Sequence, residues 1–306
     1  MERSNNLVLK YNAVIIIVFT IMNNMTIKQL VVLGYSSSSV LIYRSVITFL
    51  ITAVLALKSG DKLLPNNIRQ QGIFMLNAGI SLFLLFQSYT YLRAATVSMI
   101  QRLDIPAAVL IGFITRKRKA DFKVLFSVLA FCLVLSIIFF AGHTGEQPQG
   151  IALALTAIVM TSYSYILIKK STGQENNLVI VNTVNIGCIL VGVITGIINK
   201  DIALVRPADL WIFVLASLSQ FALNYSMAVL YKHHDVERGR RPYLVAALVV
   251  LGLEQLWVGE LFDITHTLII ILVIAVIYVI TLKELPFTIR RKKPAMEEEG
   301  EFSEFN

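Results

Sequence analysis

Four ionisable residues interrupt long apolar stretches of this chain: Arg44, Arg102, Asp104 and Glu254. A charge buried mid-helix in hydrocarbon costs about 2.5–3.5 kcal/mol on insertion scales, so such residues pair with one another or mark a substrate or ion pathway. Their formal charges cancel, and two arrangements satisfy that. In one, structural ion pairs tie helices together. In the other, at least two of the four face a polar cavity and touch a substrate. A guanidinium suits a carboxylate or phosphate through its fork of N–H donors, and a carboxylate suits an amine. Asp104 and Glu254 are also the groups able to take up a proton on one side of a membrane and release it on the other.

Neutral polar residues recur beside them at helical spacing. Ser217, Gln220 and Asn224 fall at i, i+3 and i+7, which is one helical face. Gln87 and Tyr91 are spaced i, i+4; Ser98 lines up with Gln101 and Arg102; Thr20 joins Asn23 and Asn24 in a further patch. Each group alone reads as hydrogen bonding between helices, at about 0.6 kcal/mol per contact. Their concentration on a few segments argues for a shared cavity. Tyr43, Tyr89, Tyr163 and Tyr165 could line it, whereas Trp211 and Trp257 sit near the ends of apolar runs as interfacial anchors.

Catalytic patterns are missing from the sequence. His143, His233, His234 and His266 fall in connectors or at run ends, without a Cys, Asp or Glu at metal-ligand spacing. There is no Gly-x-Ser-x-Gly elbow and no glycine-rich nucleotide loop. Cys132 and Cys188 lie within apolar runs and read as small hydrophobes. The expectation is a protein that is not an enzyme and holds no cofactor or metal.

The elements that must position these residues follow from composition. Of 306 residues, 56% are hydrophobic and only 15% charged, with a mean hydropathy of +0.72. Soluble domains run near 25% charged, and one core cannot absorb this much apolar surface. Lipid as the solvent resolves the excess. Apolar runs of about 20 residues cross hydrocarbon as helices, and ten are read here: 11–30, 38–57, 71–91, 95–115, 123–141, 150–168, 178–198, 208–230, 243–259 and 265–282. The first is expected to stay as a signal anchor, since no small-residue cleavage site follows it. The tail after Pro286 is basic and then acidic, a disordered composition.

Lys and Arg accumulate on the cytoplasmic side of membrane proteins. With the N-terminus inside, 21 of the 27 basic residues fall in inside segments, among them Arg116, Lys117, Arg118, Lys119, Lys232, Arg238, Arg240 and Arg241. These clusters read as topology signals. They lack aromatic interleaving, so no nucleic-acid partner is expected. At 1.5 Å per residue, Arg44, Arg102, Asp104 and Glu254 would lie about 9, 10, 13 and 8 Å below the outer ends of their helices. Ten spans divide into five and five, residues 1–145 and 146–285, with a cytoplasmic tail at 286–306. An odd-numbered unit repeated in tandem inserts upside down the second time, the inverted-repeat plan of many transporters.

The chain resembles the drug/metabolite transporter superfamily, in its EamA-type branch, at its second, fourth and ninth apolar runs. Tyr43-Arg44 is similar to the family's arginine on the second helix. The stretch from Tyr89 to Ile100, leading into Leu103-Asp104-Ile105-Pro106, resembles the junction of its third and fourth helices. Gly259-Glu260 resembles the family's terminal Gly-Glu pair. The first-half Gly-Glu pair is replaced by Arg116-Lys117-Arg118-Lys119, and the second half has Ala246-Ala247 where a matching proline would fall. The resemblance implies an all-α membrane protein of ten helices in two inverted halves. It implies a secondary transporter, exporting small polar or amphipathic metabolites such as amino acids by alternating access. The mixed charges suit a zwitterion, with arginine for its carboxylate and Asp104 or Glu254 for its amine. A transporter of anionic, phosphorylated or nucleotide-linked metabolites is the alternative, with Arg44 and Arg102 facing phosphate; a non-transporting membrane protein is the second. Substrate contact is expected from Arg44, Gln87, Tyr91, Gln101, Arg102, Asp104, Gln220, Asn224 and Glu254. The expected partners are a small-molecule substrate and the bilayer of the plasma membrane, with a homodimer allowed.

Overall fold

The computed structural model describes residues 2–116, 121–140, 147–233, 240–258 and 264–281. The Gly259-Glu260 pair, the tail, residues 117–119, Arg238 and residues 143–146 lie outside the described residues, as does the side chain of Glu254. Among the described residues eleven α-helices follow one another: α1 (Glu2–Val32), α2 (Ser37–Ser59), α3 (Ile68–Ser88), α4 (Ala94–Gln101), α5 (Asp104–Arg116) and α6 (Phe122–Phe140). They continue with α7 (Pro148–Ser171), α8 (Asn177–Asn199), α9 (Leu210–His233), α10 (Arg241–Val258) and α11 (Ile264–Ile280). Among the described residues there is no strand, and seven stretches are helical, long and apolar enough to cross a membrane. They are α1, α2, α3, the α4–α5 pair, α7, α8 and α9. The fold is all-α and of membrane type.

Local chemistry sets the helix ends. Ser36 caps α2, its hydroxyl accepting from the Ser39 N–H at 3.1 Å. Gly60 closes the same helix in the left-handed conformation at φ 72°. Pro148 opens α7, where its missing N–H costs nothing. The fourth apolar run was expected to be one continuous helix, and instead it breaks between Gln101 and Asp104. Pro106 is the reason. It has no N–H to donate, and its ring crowds the carbonyl four residues back, that of Arg102. Arg102 and Leu103 respond with tight turns, their N–H groups reaching Met99 and Ile100 carbonyls at 2.9 Å. Asp104 becomes the first residue of α5.

The packing partnerships come in matched sets. α1 packs on α9 as α3 packs on α7, and α1 on α10 as α5 on α7. α2 meets α9 as α3 meets α8, while α2 pairs with α8 and α6 with α11. Glycines bring α3 against α8: a Cβ at Gly187 would overlap the Met75 carbonyl, and one at Gly79 the Gly187 carbonyl. Such small residues let helix backbones approach closely where apolar burial supplies no drive. Polar bonds cross these seams. Thr52 donates to Asn182, Asn77 donates to the Met160 carbonyl and the Ser164 hydroxyl at 2.7 Å, and Gln71 donates to Ser171 at 2.9 Å.

The connectors are tied in a matched way too. At one end, the Tyr35 hydroxyl donates to Asp209 at 2.8 Å, and Ser36 donates to the Asp201 carbonyl at 2.8 Å. That joins the α1–α2 turn to the α8–α9 connector. At the other end, Asn66 donates through its backbone and side chain to Glu175, at 2.8 and 3.1 Å. This joins the α2–α3 connector to the α7–α8 turn.

Candidate functional site

A cavity with about 660 Å³ of atom-free space, its mouth included, lies where α1, α2, α3, the α4–α5 junction, α7, α9 and the start of α10 converge. Helix α1 supplies Thr20, Asn23 and Asn24; α2 supplies Arg44; α3 supplies Leu82, Leu85 and Phe86. Gln101, Arg102 and Asp104 come from the α4–α5 break, and Ile158, Thr161 and Tyr165 from α7. Helix α9 adds Gln220, Leu223, Asn224 and Met227, and the entry to α10 adds Arg240 and Tyr243. Its lining combines an apolar wall with a few placed polar groups, the make-up of small-molecule sites.

Two of the largest buried side chains in the protein are here. Arg44 is 2% exposed, donates from Nη1 to Asn23 Oδ1 at 2.9 Å, and lies over the Phe86 ring at 4.4 Å. Arg102, also 2% exposed, donates from Nε to the Ser98 carbonyl at 3.0 Å and from Nη2 to Gln101 Oε1 at 2.9 Å. Its guanidinium stands 5.2 Å from the centre of the Tyr243 ring. Among the described residues, neither arginine has a carboxylate within 4.0 Å. Of the two arrangements open to these charges, an ion pair of either arginine with Asp104 is therefore not formed.

Asp104 is held by Arg240 instead. Arg240 Nη2 donates to Asp104 Oδ2, and Arg240 Nη1 approaches Met227 Sδ at 3.1 Å. The guanidinium is stacked over Tyr243 at 3.8 Å and over Tyr165 at 4.3 Å. Cation–ring contacts of this kind are worth about 2 kcal/mol or more once desolvated. Arg240 was read from the sequence as a solvated topology signal beside Arg241. It is in fact 4% exposed and belongs to the cavity. The sequence holds no local sign of this, because the carboxylate it needs lies in the other half of the chain.

Several polar atoms of the wall have no hydrogen-bond partner among the described residues. They include Thr20 Oγ1, Arg44 Nε, Arg102 Nη1, Asp104 Oδ1, Thr161 Oγ1, Gln220 Oε1 and Asn224 Nδ2. Buried polar groups are nearly always satisfied, so their convergence on one space marks a place for a polar ligand or water. Among the described residues, no group of three His, Cys, Asp or Glu could hold a metal ion.

Six of the nine residues singled out from the sequence meet on this wall: Arg44, Gln101, Arg102, Asp104, Gln220 and Asn224. Gln87 and Tyr91 do not. Their i, i+4 relation assumed one helix, but α3 ends at Ser88 and Tyr91 sits in the turn beyond it. There the Tyr91 carbonyl accepts from the Gln147 N–H at 3.4 Å, and its side chain borders Gly150. Ser217 is structural, its hydroxyl donating to the Phe213 and Arg44 carbonyls at 2.6 and 3.1 Å. Tyr43 packs edge-on against Phe213, and Tyr163 is exposed; of the four tyrosines named, Tyr165 alone lines the cavity. Tyr89 supports the site from behind, donating to Asn24 at 3.1 Å. Asn24 in turn donates to Ser98 at 3.2 Å.

No protein-family model matches the sequence, and no curated protein is similar to it. Solved structures do share its fold. One crystal structure, described simply as that of a protein, superposes with a TM-score of 0.66 over 89% of this chain and 96% of its own. At 12% identity the likeness is one of fold.

Proposed function

We propose that the chain is a ten-span secondary transporter of the drug/metabolite transporter superfamily, EamA type. It moves small polar or amphipathic metabolites out of the cell by alternating access around the cavity. The observation that carries this is the convergence of unpartnered, buried polar atoms on one space between the two halves of the chain. Three further helices, α6, α10 and α11, bring the seven long apolar stretches to ten spans. The matched packing supports an inverted repeat. Exchanging each span with the one five places along turns α1 on α9 into α7 on α3, and α1 on α10 into α7 on α5. It also turns the Tyr35–Asp209 tie into the Asn66–Glu175 tie, at opposite ends of the bundle. In this reading the protein sits in the plasma membrane with both termini cytoplasmic, and the Tyr35–Asp209 end faces outward. Alternating access then consists of one half rocking on the other about a fixed site.

The test is counterflow in proteoliposomes of the purified chain over amino acids, organic acids, nucleotides and sugars. Saturable, competable flux of at least one compound is expected, reduced about ten- to a hundredfold in liposomes carrying Arg102→Ala. Absence of any protein-dependent flux across the panel would sink the reading.

A further inference from the structure

We infer, on the reading above that this cavity carries substrate, that its ligand is a small organic anion with an apolar body. Charge is the first observation. The described wall holds three guanidinium groups, those of Arg44, Arg102 and Arg240, against one carboxylate, Asp104. Arg240 already neutralises Asp104. That leaves the wall with two positive charges whose carboxylate partner is not found among the described residues. The Glu254 backbone lies eleven residues beyond Tyr243, about 16 Å further along α10 than the part that touches the cavity.

Donor geometry is the second. Arg44 Nε and Arg102 Nη1 are buried, lack partners among the described residues and belong to side chains that line the cavity. Arginine donors of this kind bind carboxylate and phosphate oxygens through short, charge-assisted bonds. An amine finds less. The Asp104 oxygen left unpartnered belongs to a carboxylate whose charge Arg240 balances, so an ammonium beside it would also meet the Arg240 guanidinium. The zwitterion expected from sequence loses its cation site. Apolar surface is the third observation. Leu82, Leu85 and Phe86 of α3, with Ile158 and Leu223, give the cavity a hydrophobic side. A ligand with a charged head and an apolar body satisfies both sides at once.

The experiment compares probes with one body and different heads: 3-phenylpropionate, phenyl phosphate, phenylalanine, phenethylamine and 3-phenylpropanol. Binding to the full chain in nanodiscs is measured by calorimetry, and counterflow of the same compounds is measured in proteoliposomes. The anions should bind about tenfold or more tighter than the zwitterion, amine and alcohol. The ratio of the two anions identifies the head, carboxylate or phosphate. Arg102→Gln and Arg44→Gln should each weaken anion binding about tenfold, Arg102→Lys less, and Arg206→Gln, on an exposed connector, not at all. Equal or tighter binding of phenylalanine or phenethylamine would overturn the inference, as would no binding by any probe. Anion binding without counterflow would keep the anion site and remove the transport reading. Counterflow that prefers the zwitterion would do the reverse.

Discussion

The Asp104 carboxylate accepts its hydrogen bond from Arg240, a guanidinium 136 residues further along the chain. The bond joins the break between α4 and α5 to the entry of α10, one in each half of the protein. It is buried on both sides, at 1% and 4% exposure. A buried pair of this kind contributes little against a well-packed apolar replacement, yet breaking it by removing one partner strands a charge.

Arg240→Gln should therefore destabilise the protein by about 3–5 kcal/mol, because Asp104 is left charged and unpaired. Asp104→Asn in the same chain should recover most of that loss. Unfolding in one detergent, followed for the two single variants and the double variant, gives the coupling. If Arg240 were a solvated topology signal only, Arg240→Gln would leave the unfolding midpoint where it is.

Two glycines of the α3–α8 region make opposite predictions. A Cβ at Gly187 would overlap the Met75 carbonyl, so Gly187→Ala must push the helices apart. A loss on the order of 1–3 kcal/mol is expected, the cost of overpacking. Gly72, on the same α3, has no atom of the described residues within 4 Å of its would-be Cβ. Gly72→Ala should be neutral or stabilising by up to about 1 kcal/mol, since alanine gives up less backbone freedom in a helix. Thermal unfolding of both variants in detergent checks the contrast.

Topology is tested by single cysteines in a background without Cys132 and Cys188. With both termini in the cytoplasm, a cysteine at Thr144 should be labelled by an impermeant reagent on intact cells. One at Lys170 should be labelled only after the cells are opened. The reverse pattern would overturn the orientation drawn from the basic residues.

What the sequence disclosed about this protein followed physical range. Helix positions are local, governed by runs of apolar residues, and the helices lie over the ten runs read from the chain. The residues of the wall were legible where a charge stood inside such a run, as at Arg44, Arg102 and Asp104. The same residues' partners were not legible. Asp104 pairs with Arg240, and Arg44 with Asn23 and the Phe86 ring, and nothing in local spacing encodes either match. Gln87 and Tyr91 misled because a periodicity argument assumes the helix continues, whereas α3 stops at Ser88. Pro106 was visible in the sequence, and its effect on the Arg102 carbonyl was the available clue to the break at Asp104.

On the transport reading proposed above, coupling to protons should depend more on Glu254 than on Asp104. Asp104 is balanced by Arg240, so its protonation would disrupt a pair that joins the two halves. Glu254 has no basic residue within its own apolar run. Glu254→Gln should flatten the response of flux to an imposed proton gradient, and Asp104→Asn should instead lower the unfolding midpoint. Flux of the unmodified protein that ignores the gradient would make it a uniporter.

Arg44 and Arg102 should be required for flux and dispensable for insertion. Arg240 faces a buried carboxylate, so its removal strands a charge. Among the described residues, Arg44 and Arg102 have no such partner, so their removal strands none. What they do lose is modest. Arg44 gives up a 2.9 Å bond to Asn23 and its contact with Phe86; Arg102 gives up bonds to Ser98 and Gln101 at the end of α4. Against that stand two unpartnered donors on the cavity wall, each able to make a charge-assisted bond worth about 1.5–3 kcal/mol. Arg44→Ala and Arg102→Ala should therefore reach the membrane in near-normal amounts while flux falls about ten- to a hundredfold. Counterflow normalised to the amount of reconstituted protein is the measurement. Variants lost from the membrane would assign the arginines a structural role, and a variant that inserts and transports at the normal rate would remove that arginine from the site.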